Sequence, residues 1–378
     1  MAKHSFPWLL VRSFRFQRKH PTTGFTLLEL LISVFIGGII TSTLLYSVVE
    51  LLRVNQRESS RAETQREMQL AMDYISSELR QAVFVYDGRC LSGPGNFVLN
   101  GCPGVTSFLP NAINTQPAGA GVGTTPVLAF WRVDQLPQVL INLCAANASS
   151  LSNDVSPISG VPCLSRRTYS LVVYYLDTTN DNSTWSGRAR LKRYALTQFT
   201  ATGTPNPGWV DPTTTNNNFL GWPFEATGIN LQTAARFSDG ITVNPHVLTG
   251  AIQLGSAPVL VDFVDRPTTQ NSTATACPGD SVAAGSLPRF VRSPSDVTAP
   301  NITSFYACVR GGGFMDATGN PNNSGTPSNT GGRNQETAIF LRGNAAGRAG
   351  VPLTANVVFD LQTRVLSRGS FEKSPAPQ

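Results

Sequence analysis

The sequence predicts an α+β fold in which a long N-terminal helix packs on an antiparallel β-sheet head with long loops. Three observations support this prediction. Residues 25–49 are almost entirely apolar, residues 50–85 contain neither Gly nor Pro, and residues 87–378 are rich in Gly, Pro, Ser, Thr and Asn around short apolar runs. We therefore expect the first half of the helix to span a membrane and the second half to be amphipathic.

The apolar segment is long enough to cross a bilayer, since Phe25 to Val49 measures about 37 Å as a helix. Glu29 is its only formally charged side chain, and a carboxylate inside a bilayer is costly enough to suggest a partner and a function. The positive-inside rule places the preceding basic end in the cytoplasm and exports the C-terminal part. That end contains Lys3, Arg12, Arg15, Arg18 and Lys19.

Other interpretations of this segment explain less. A secretory signal peptide has a shorter apolar core and a small-x-small cleavage site after it, which Glu50-Leu51-Leu52-Arg53 does not provide. A plain signal anchor leaves Glu29 unexplained. A buried helix of a soluble protein would not need the basic flank.

The segment Gly24-Phe25-Thr26-Leu27-Leu28-Glu29-Leu30 resembles the class III signal of type IV pilins and type II secretion pseudopilins. The resemblance implies that prepilin peptidase cuts between Gly24 and Phe25 and that Phe25 is then N-methylated. It also implies that Glu29 meets the terminal amine of a neighbouring subunit. An amine and a carboxylate attract strongly in a low dielectric, so each lowers the other's cost of burial.

The chain is thereby divided into a cleaved leader (1–24), a transmembrane helix (25–49), an amphipathic helix (50–86) and an exported, disulfide-containing β-rich head (87–378). Residues 53–67 are polar almost all round, which suits a solvated stalk or packing between subunits. The next residues present one apolar helical face, suited to packing on a sheet. This face consists of Met68, Met72, Ile75, Leu79 and Ala82. The helix is expected to end near Val85-Tyr86.

Glycines interrupt the membrane segment at Gly37-Gly38. Small residues allow close packing of membrane helices, and glycine also weakens a helix by about 1 kcal/mol relative to Ala. Close packing and a softened point for extraction from the membrane both fit this pair.

Short β-favouring runs predict the strands of the head. They are Val127–Val133, Ser170–Asp177, Arg188–Leu196, Val259–Asp265, Ser304–Arg310, Thr337–Arg342, Asn356–Asp360 and Arg364–Ser370. The second and third are expected to form one hairpin, and the last two another. Long loops are expected at 100–125, 134–165, 200–255 and 311–336, with disorder in places such as Gly319–Arg333.

All six cysteines lie in the part predicted to be exported, where disulfides form. Six cysteines allow 15 pairings, and sequence neighbours are the simplest choice. The neighbouring pairs are Cys90–Cys102, Cys144–Cys163 and Cys277–Cys308. A zinc site is disfavoured, because C-x-x-C is absent and His246 is the only histidine of the processed chain.

The net charge of +6 depends largely on the leader, which carries five positive charges. Without it, 24 basic residues face 23 acidic ones, so no nucleic-acid surface is expected, although local arginine clusters leave specific binding open.

No nucleophile motif or nucleotide-binding loop is present, so an enzyme and a cofactor are not expected. Asp177–Asn182 suits a hairpin turn better than a calcium site.

The resemblance also bears on function and partners. The hairpin around Tyr174 and Tyr194 resembles one in minor subunits of the W/J type, and the chain has a general resemblance to the pseudopilin set of cyanobacterial hormogonium polysaccharide secretion. The resemblance implies that the chain is a minor pseudopilin with polysaccharide as an exported cargo. The implied partners are prepilin peptidase, an assembly ATPase, a platform protein and other pilins. The alternatives are a minor pilin at a pilus tip, for assembly priming, adhesion, motility or DNA uptake, and an exported enzyme on a membrane anchor.

Overall fold

The computed structural model describes residues 24–96, 101–113, 123–147, 160–179, 184–232, 236–238, 241–243, 257–266, 276–278, 290–295, 302–310 and 335–367. The leader up to residue 23, His246 and the Gly319–Arg333 stretch lie outside the described residues. The chain forms two compact units that divide between Asn55 and Gln56, and each is described by itself.

The described residues contain three α-helices and eleven strands. They are α1 (Leu27–Arg80), β1 (Ala82–Val85), α2 (Gly88–Leu91), β2 (Thr124–Gln135), α3 (Gln138–Ala146), β3 (Arg167–Asp177), β4 (Ala189–Leu196), β5 (Arg236–Ser238), β6 (Ile241–Val243), β7 (Val259–Val264), β8 (Phe290–Ser293), β9 (Phe305–Arg310), β10 (Glu336–Asn344) and β11 (Val358–Leu366). The predicted α+β class, with a long N-terminal helix and an antiparallel sheet, is confirmed.

The apolar face predicted for the second half of α1 forms the centre of the head. Met68, Ile75 and Leu79 are fully buried, and Met72 nearly so. They pack with the inward-facing side chains of β2, β3, β4, β7, β9 and β10 in one core cluster. A helix whose apolar stripe lies under a sheet is the arrangement that its 3.6-residue periodicity predicts.

The end of α1 differs from the prediction. The helix ends at Arg80, and the residues up to Val85 form β1, so the predicted end near Val85-Tyr86 is wrong. The sequence Ala82-Val83-Phe84-Val85 pairs antiparallel with β2 and is buried throughout. β-Branched and aromatic side chains favour this pleated, buried position over another helical turn.

Nine strands form one antiparallel sheet, and β5 and β6 form a separate pair. The order in the main sheet is β1-β2-β3-β4-β7-β10-β9-β8, with β11 paired to β10. The predicted hairpin of β3 and β4 is confirmed, with Asp177 opposite Arg190 and Leu171 opposite Leu196.

The second predicted hairpin is wrong. Val358–Leu366 is one continuous strand, paired with β10 from Glu336↔Leu366 to Asn344↔Val358. The sequence Asp360-Leu361-Gln362-Thr363 keeps the period-two alternation and contains no Gly, Pro or Asn to form a turn. β11 instead forms a hairpin with β10, and residues 345–357 connect these two strands.

Two segments predicted as long loops contain ordered structure. Residues 134–165 include α3, whose Leu140 and Cys144 are buried against Val161 and Phe199. Residues 200–232 pack on the sheet face opposite α1, where Trp222 meets Trp131 with ring centroids 5.6 Å apart. The β1–β4 part of the sheet is therefore covered on both faces.

A matched pair of leucines on α1 tests the buried stripe. We expect Leu79→Ala to lower the free energy of unfolding by about 2–5 kcal/mol, because Leu79 is fully buried in the core. Leu70→Ala, at a position 60% exposed on the same helix, should change it by roughly 0.5 kcal/mol or less. Urea unfolding of the full chain in detergent, followed by tryptophan fluorescence, measures both. Equal losses would contradict the assignment of the stripe.

Candidate functional site

The segment Gly24-Phe25-Thr26 precedes the first turn of α1 and is not helical. The Thr26 hydroxyl accepts the backbone N–H of Glu29 at 3.3 Å, and the Thr26 carbonyl accepts the N–H groups of Glu29 and Leu30. Thr26 therefore occupies the N-cap position. Glu29 lies in the first turn, where its carboxylate complements the partial positive charge of the helix end.

Gly24 has no structural need to be glycine within the described chain. A Cβ atom added there would meet nothing within 4 Å, and the residue does not adopt the left-handed backbone region. A requirement for glycine at this position would therefore come from another molecule that binds the segment.

The first unit exposes a continuous apolar helix. Every side chain from 24 to 49 is exposed within the described structure, including Phe25 at 79%. By length and composition, this part of α1 can cross a membrane. Five of its Ser and Thr hydroxyl groups each donate to the carbonyl four residues earlier, as a bilayer would require. The donors are Ser33, Thr41, Ser42, Thr43 and Ser47.

Residues 20–45 match the family model of the prokaryotic N-terminal methylation motif. This N-terminal segment therefore carries the methylation motif, which supports a relation to type IV prepilins and pseudopilins. The matched residues include Gly24, Phe25 and Glu29, and the assignment rests on this N-terminal segment. Comparison with curated proteins and with solved structures gave no match.

Glu29 is exposed in the apolar part of α1. Among residues 24–96 and the other described segments, no ion pair to it is found. The apolar helix therefore carries one acid whose charge is not balanced within the described chain.

The cysteines form the three disulfides expected between sequence neighbours. Cys90 and Cys102 have Cα atoms 5.2 Å apart, Cys144 and Cys163 5.5 Å, and Cys277 and Cys308 5.7 Å. The first pair attaches α2 to the following segment, the second attaches α3 to the residues before β3, and the third anchors residues 276–278 to β9. None of the six is free as a metal ligand.

The turn considered for calcium has a different electrostatic environment. Lys192 Nζ lies 2.6 Å from the Asp177 carboxylate, and the N–H of Thr179 donates to it at 2.8 Å. Burial raises the pKa of Asp177, but the hydrogen bonds from Lys192 and Thr179 have a larger and opposite effect. The pKa of Asp177 therefore lies below its usual value. Asp177 is therefore engaged by its own chain, and residues 180–183 of the turn lie outside the described residues.

The described residues contain no group of three or more His, Cys, Asp or Glu that could hold a metal ion. A shallow groove on the outer face of β10 and β11 is lined by Tyr306, Phe340, Arg342, Asp360 and others. Its charged groups, Arg342 and Asp360, pair with each other at 2.6 Å. The groove thus offers no set of free polar groups converging on one point.

A buried carboxylate on α1 connects the helix to three neighbouring strands of the head. Glu78, with a 6% exposed side chain, accepts hydrogen bonds from Arg132 on β2, Tyr174 on β3 and Arg193 on β4. Arg193 makes two of these contacts, at 2.9 and 2.8 Å, which is the bidentate geometry of a strong pair.

The pKa of Glu78 reflects this environment. Burial raises the pKa of the carboxyl group, but the hydrogen bonds from Arg193 and Tyr174 and the charges of Arg193 and Arg132 together outweigh it, so the pKa lies below its usual value. Glu78 belongs to no recognisable sequence motif. Its signal was an acidic residue within the apolar stripe, between Ile75 and Leu79.

A second polar contact joins α1 to the connection between β10 and β11. Arg348 pairs with Glu63 at 2.8 Å and with Glu67, and its guanidinium lies 4.1 Å above the ring of Phe263. Ser60 donates to the carbonyl of Ala349 at 2.7 Å. Within residues 53–67, Ser60 and Thr64 are thus buried and Glu67 is half-buried, while the other residues are exposed as a solvated stretch would be.

We expect Glu78→Gln to lower the free energy of unfolding by roughly 3 kcal/mol at neutral pH, because it leaves two arginines without their anion. Since the folded-state pKa of Glu78 is lowered, its stabilisation is present above the unfolded-state pKa and is lost as pH falls through the folded-state pKa. The difference between wild type and variant should therefore be constant above about pH 5 and shrink below about pH 4.

Glu63→Gln is the control on the same helix. The Glu63 side chain is 61% exposed, so its pair with Arg348 should contribute no more than about 1 kcal/mol. Urea unfolding of the full chain between pH 3 and pH 8 measures both variants. A Glu78→Gln effect as small as that of Glu63→Gln, or one independent of pH, would contradict the role of this network.

Proposed function

We propose that the protein is a minor pseudopilin, a structural subunit of a type II secretion-like or type IV pilus-like filament. The match of residues 20–45 to the N-terminal methylation motif carries this proposal. The apolar first part of α1 and the head stabilised by three disulfides support it. The size of the head, nearly three hundred residues from position 87 onward, favours a minor subunit placed at or near a filament tip.

The proposed maturation begins at the inner membrane. Prepilin peptidase cuts between Gly24 and Phe25 on the cytoplasmic side, and the new amine of Phe25 is methylated. The basic residues before position 24 keep the N-terminus in the cytoplasm, and the head lies in the periplasm, where its disulfides form. Other pilins or pseudopilins, an assembly ATPase and a platform protein then incorporate the subunit.

The proposed role of Glu29 is to dock the subunit in the filament. Its carboxylate is exposed, and no described residue forms an ion pair with it. The terminal amine of a neighbouring subunit supplies the missing charge. In an apolar bundle of helices this pair is favourable because separation would leave two unpaired charges in a low dielectric.

Deleting the gene distinguishes the two systems that such a subunit can serve. Loss of secretion, with polysaccharide among the cargoes assayed, while pili remain intact supports a secretion pseudopilin. Loss of pili, attachment, motility or DNA uptake with secretion intact supports a minor pilin at a pilus tip. An unchanged phenotype in all of these assays would contradict both.

We expect Gly24→Ala to slow cleavage by roughly 10- to 200-fold, the effect of one additional methyl group in a fitted enzyme pocket. Gly38→Ala is the matched control, because an added Cβ meets nothing within 4 Å at either glycine. Mass spectrometry of the mature N-terminus measures the product. Wild-type protein that keeps Met1, or that is cut after residue 49, would contradict the processing proposal.

We expect Glu29→Gln to leave cleavage unchanged and to lower incorporation into filaments by about 10- to 100-fold, because it removes one charge of a charge-assisted contact. Glu50→Gln is the control, since Glu50 is 53% exposed and lies 3.9 Å from Arg53. Immunoblots of sheared filaments and membranes measure the partition. Normal incorporation of Glu29→Gln would contradict the docking role.

A further inference from the structure

The main sheet divides into two half-sheets, each built from one part of the chain. The first half-sheet consists of β1, β2, β3, β4 and β7, within residues 82–264, and the second consists of β8, β9, β10 and β11, within residues 290–366. Neighbouring strands inside a half-sheet share at least three register pairs, and β10 shares nine with β11. Between the half-sheets, the described strands share one pair, Gly343 with Val264.

The junction of β7 and β10 is narrow. Besides the pair of Gly343 with Val264, the N–H of Asp265 donates to the carbonyl of Arg342 at 2.9 Å. The side-chain amide of Asn344 donates to the Asp265 carboxylate at 2.8 Å. All of these residues lie at or next to the C-terminal ends of the two strands, so the half-sheets are joined along a short line.

The two half-sheets meet a second time, where β1 and β2 approach β8 and the start of β10. The side-chain amide of Gln335, just before β10, bonds the N–H and the carbonyl of Val85 in β1 at 2.7 and 3.0 Å. Ser293 of β8 donates to the carbonyl of Val127 in β2 at 2.6 Å. We call these contacts the seam. Among the described strands, none pairs with another across it, so the seam is closed by side chains.

Helix α1 is attached to both half-sheets, but through different residues. Glu78, near its C-terminal end, bonds side chains of β2, β3 and β4 in the first half-sheet. Ser60 and Glu63, nearer its N-terminal end, contact the connection between β10 and β11 in the second half-sheet. The apolar stripe lies between these attachments and packs against inward-facing residues of both half-sheets. The half-sheets therefore enclose the stripe between them.

We propose that the head is a clamp on α1, in which the second half-sheet opens from the first as a unit about the junction of β7 and β10. Opening breaks the seam and exposes the apolar stripe, while the strand pairing inside each half-sheet stays intact. Local opening of contiguous segments is a general property of folded proteins. Burial of the stripe favours closure, so the open state is a minor population. This inference goes beyond the proposed function and does not require cleavage at Gly24.

Thiol labelling of the full chain in detergent measures the opening. All six native cysteines are in disulfides, so an introduced cysteine is the single free thiol. Ala71 lies in the core between α1 and the sheet, and Ala129 lies in the core on the other face of the first half-sheet; both are buried. We expect Ala71→Cys to be labelled at least about tenfold faster than Ala129→Cys, because opening of the clamp exposes only position 71.

Removing a seam contact tests the route of opening. Gln335→Ala leaves the buried N–H and carbonyl of Val85 without their partner, so it should raise the labelling rate of Ala71→Cys about tenfold and leave that of Ala129→Cys unchanged. Gln232→Ala is the matched control, because the buried Gln232 amide donates to two carbonyls away from the seam. It should leave the labelling rate of Ala71→Cys unchanged.

Mass spectrometry of the labelled protein gives the rates, and tryptophan fluorescence in urea checks that each variant is folded. If Gln335→Ala does not fold, Ser293→Ala removes the other seam bond and replaces it. Equal labelling of Ala71→Cys and Ala129→Cys would mean that the stripe is exposed only by global unfolding and would overturn the proposal. An equal effect of the seam variant and Gln232→Ala on Ala71→Cys would overturn it as well.

Discussion

The contact between the apolar stripe of α1 and the inner face of the sheet is the constraint on which the head depends. Met68, Ile75 and Leu79 fill the space that the inward residues of six strands enclose. Because this burial is not directional, it does not by itself fix how far the helix slides along the sheet. The contact of Glu78 with Arg132, Tyr174 and Arg193 supplies that positional information, since a hydrogen-bonded ion pair is lost by a shift of one residue.

The parts of the fold that the sequence predicted are those set by local pattern. The stripe on α1, the β3–β4 hairpin and the pairing of neighbouring cysteines follow from spacing along the chain. The errors lie where a distant partner decides. Ala82 continues the helical stripe in sequence, but it pairs with β2 and belongs to β1. Asp360-Leu361-Gln362-Thr363 was expected to form a turn, but it pairs with β10 as part of one extended strand. Likewise, the buried face of α3 depends on contacts with residues later in the chain, namely Val161, Cys163 and Phe199.

The candidate site shows the same division. Gly24, Phe25 and Glu29 are recognisable because the motif is contiguous and the acid is unusual in an apolar segment. Glu78 was overlooked because its three partners are between 54 and 115 residues away in sequence. The sequence also could not show that Arg348 covers part of the polar stretch of α1, since this requires the long connection after β10 to return to Glu63 and Glu67.

Two carboxylates on α1 differ in whether the described chain supplies their countercharges. Glu78 has its countercharges within its own head, so folding alone satisfies it. Glu29 lies on an apolar surface with no ion pair to any described residue, so its charge can be balanced only by something outside the described chain. Among the described strands, β11 pairs with β10 alone, while the backbone of Val85 in β1 bonds the side chain of Gln335. Among the described residues, Glu29 therefore lies without an ion pair on an apolar surface that another chain can reach.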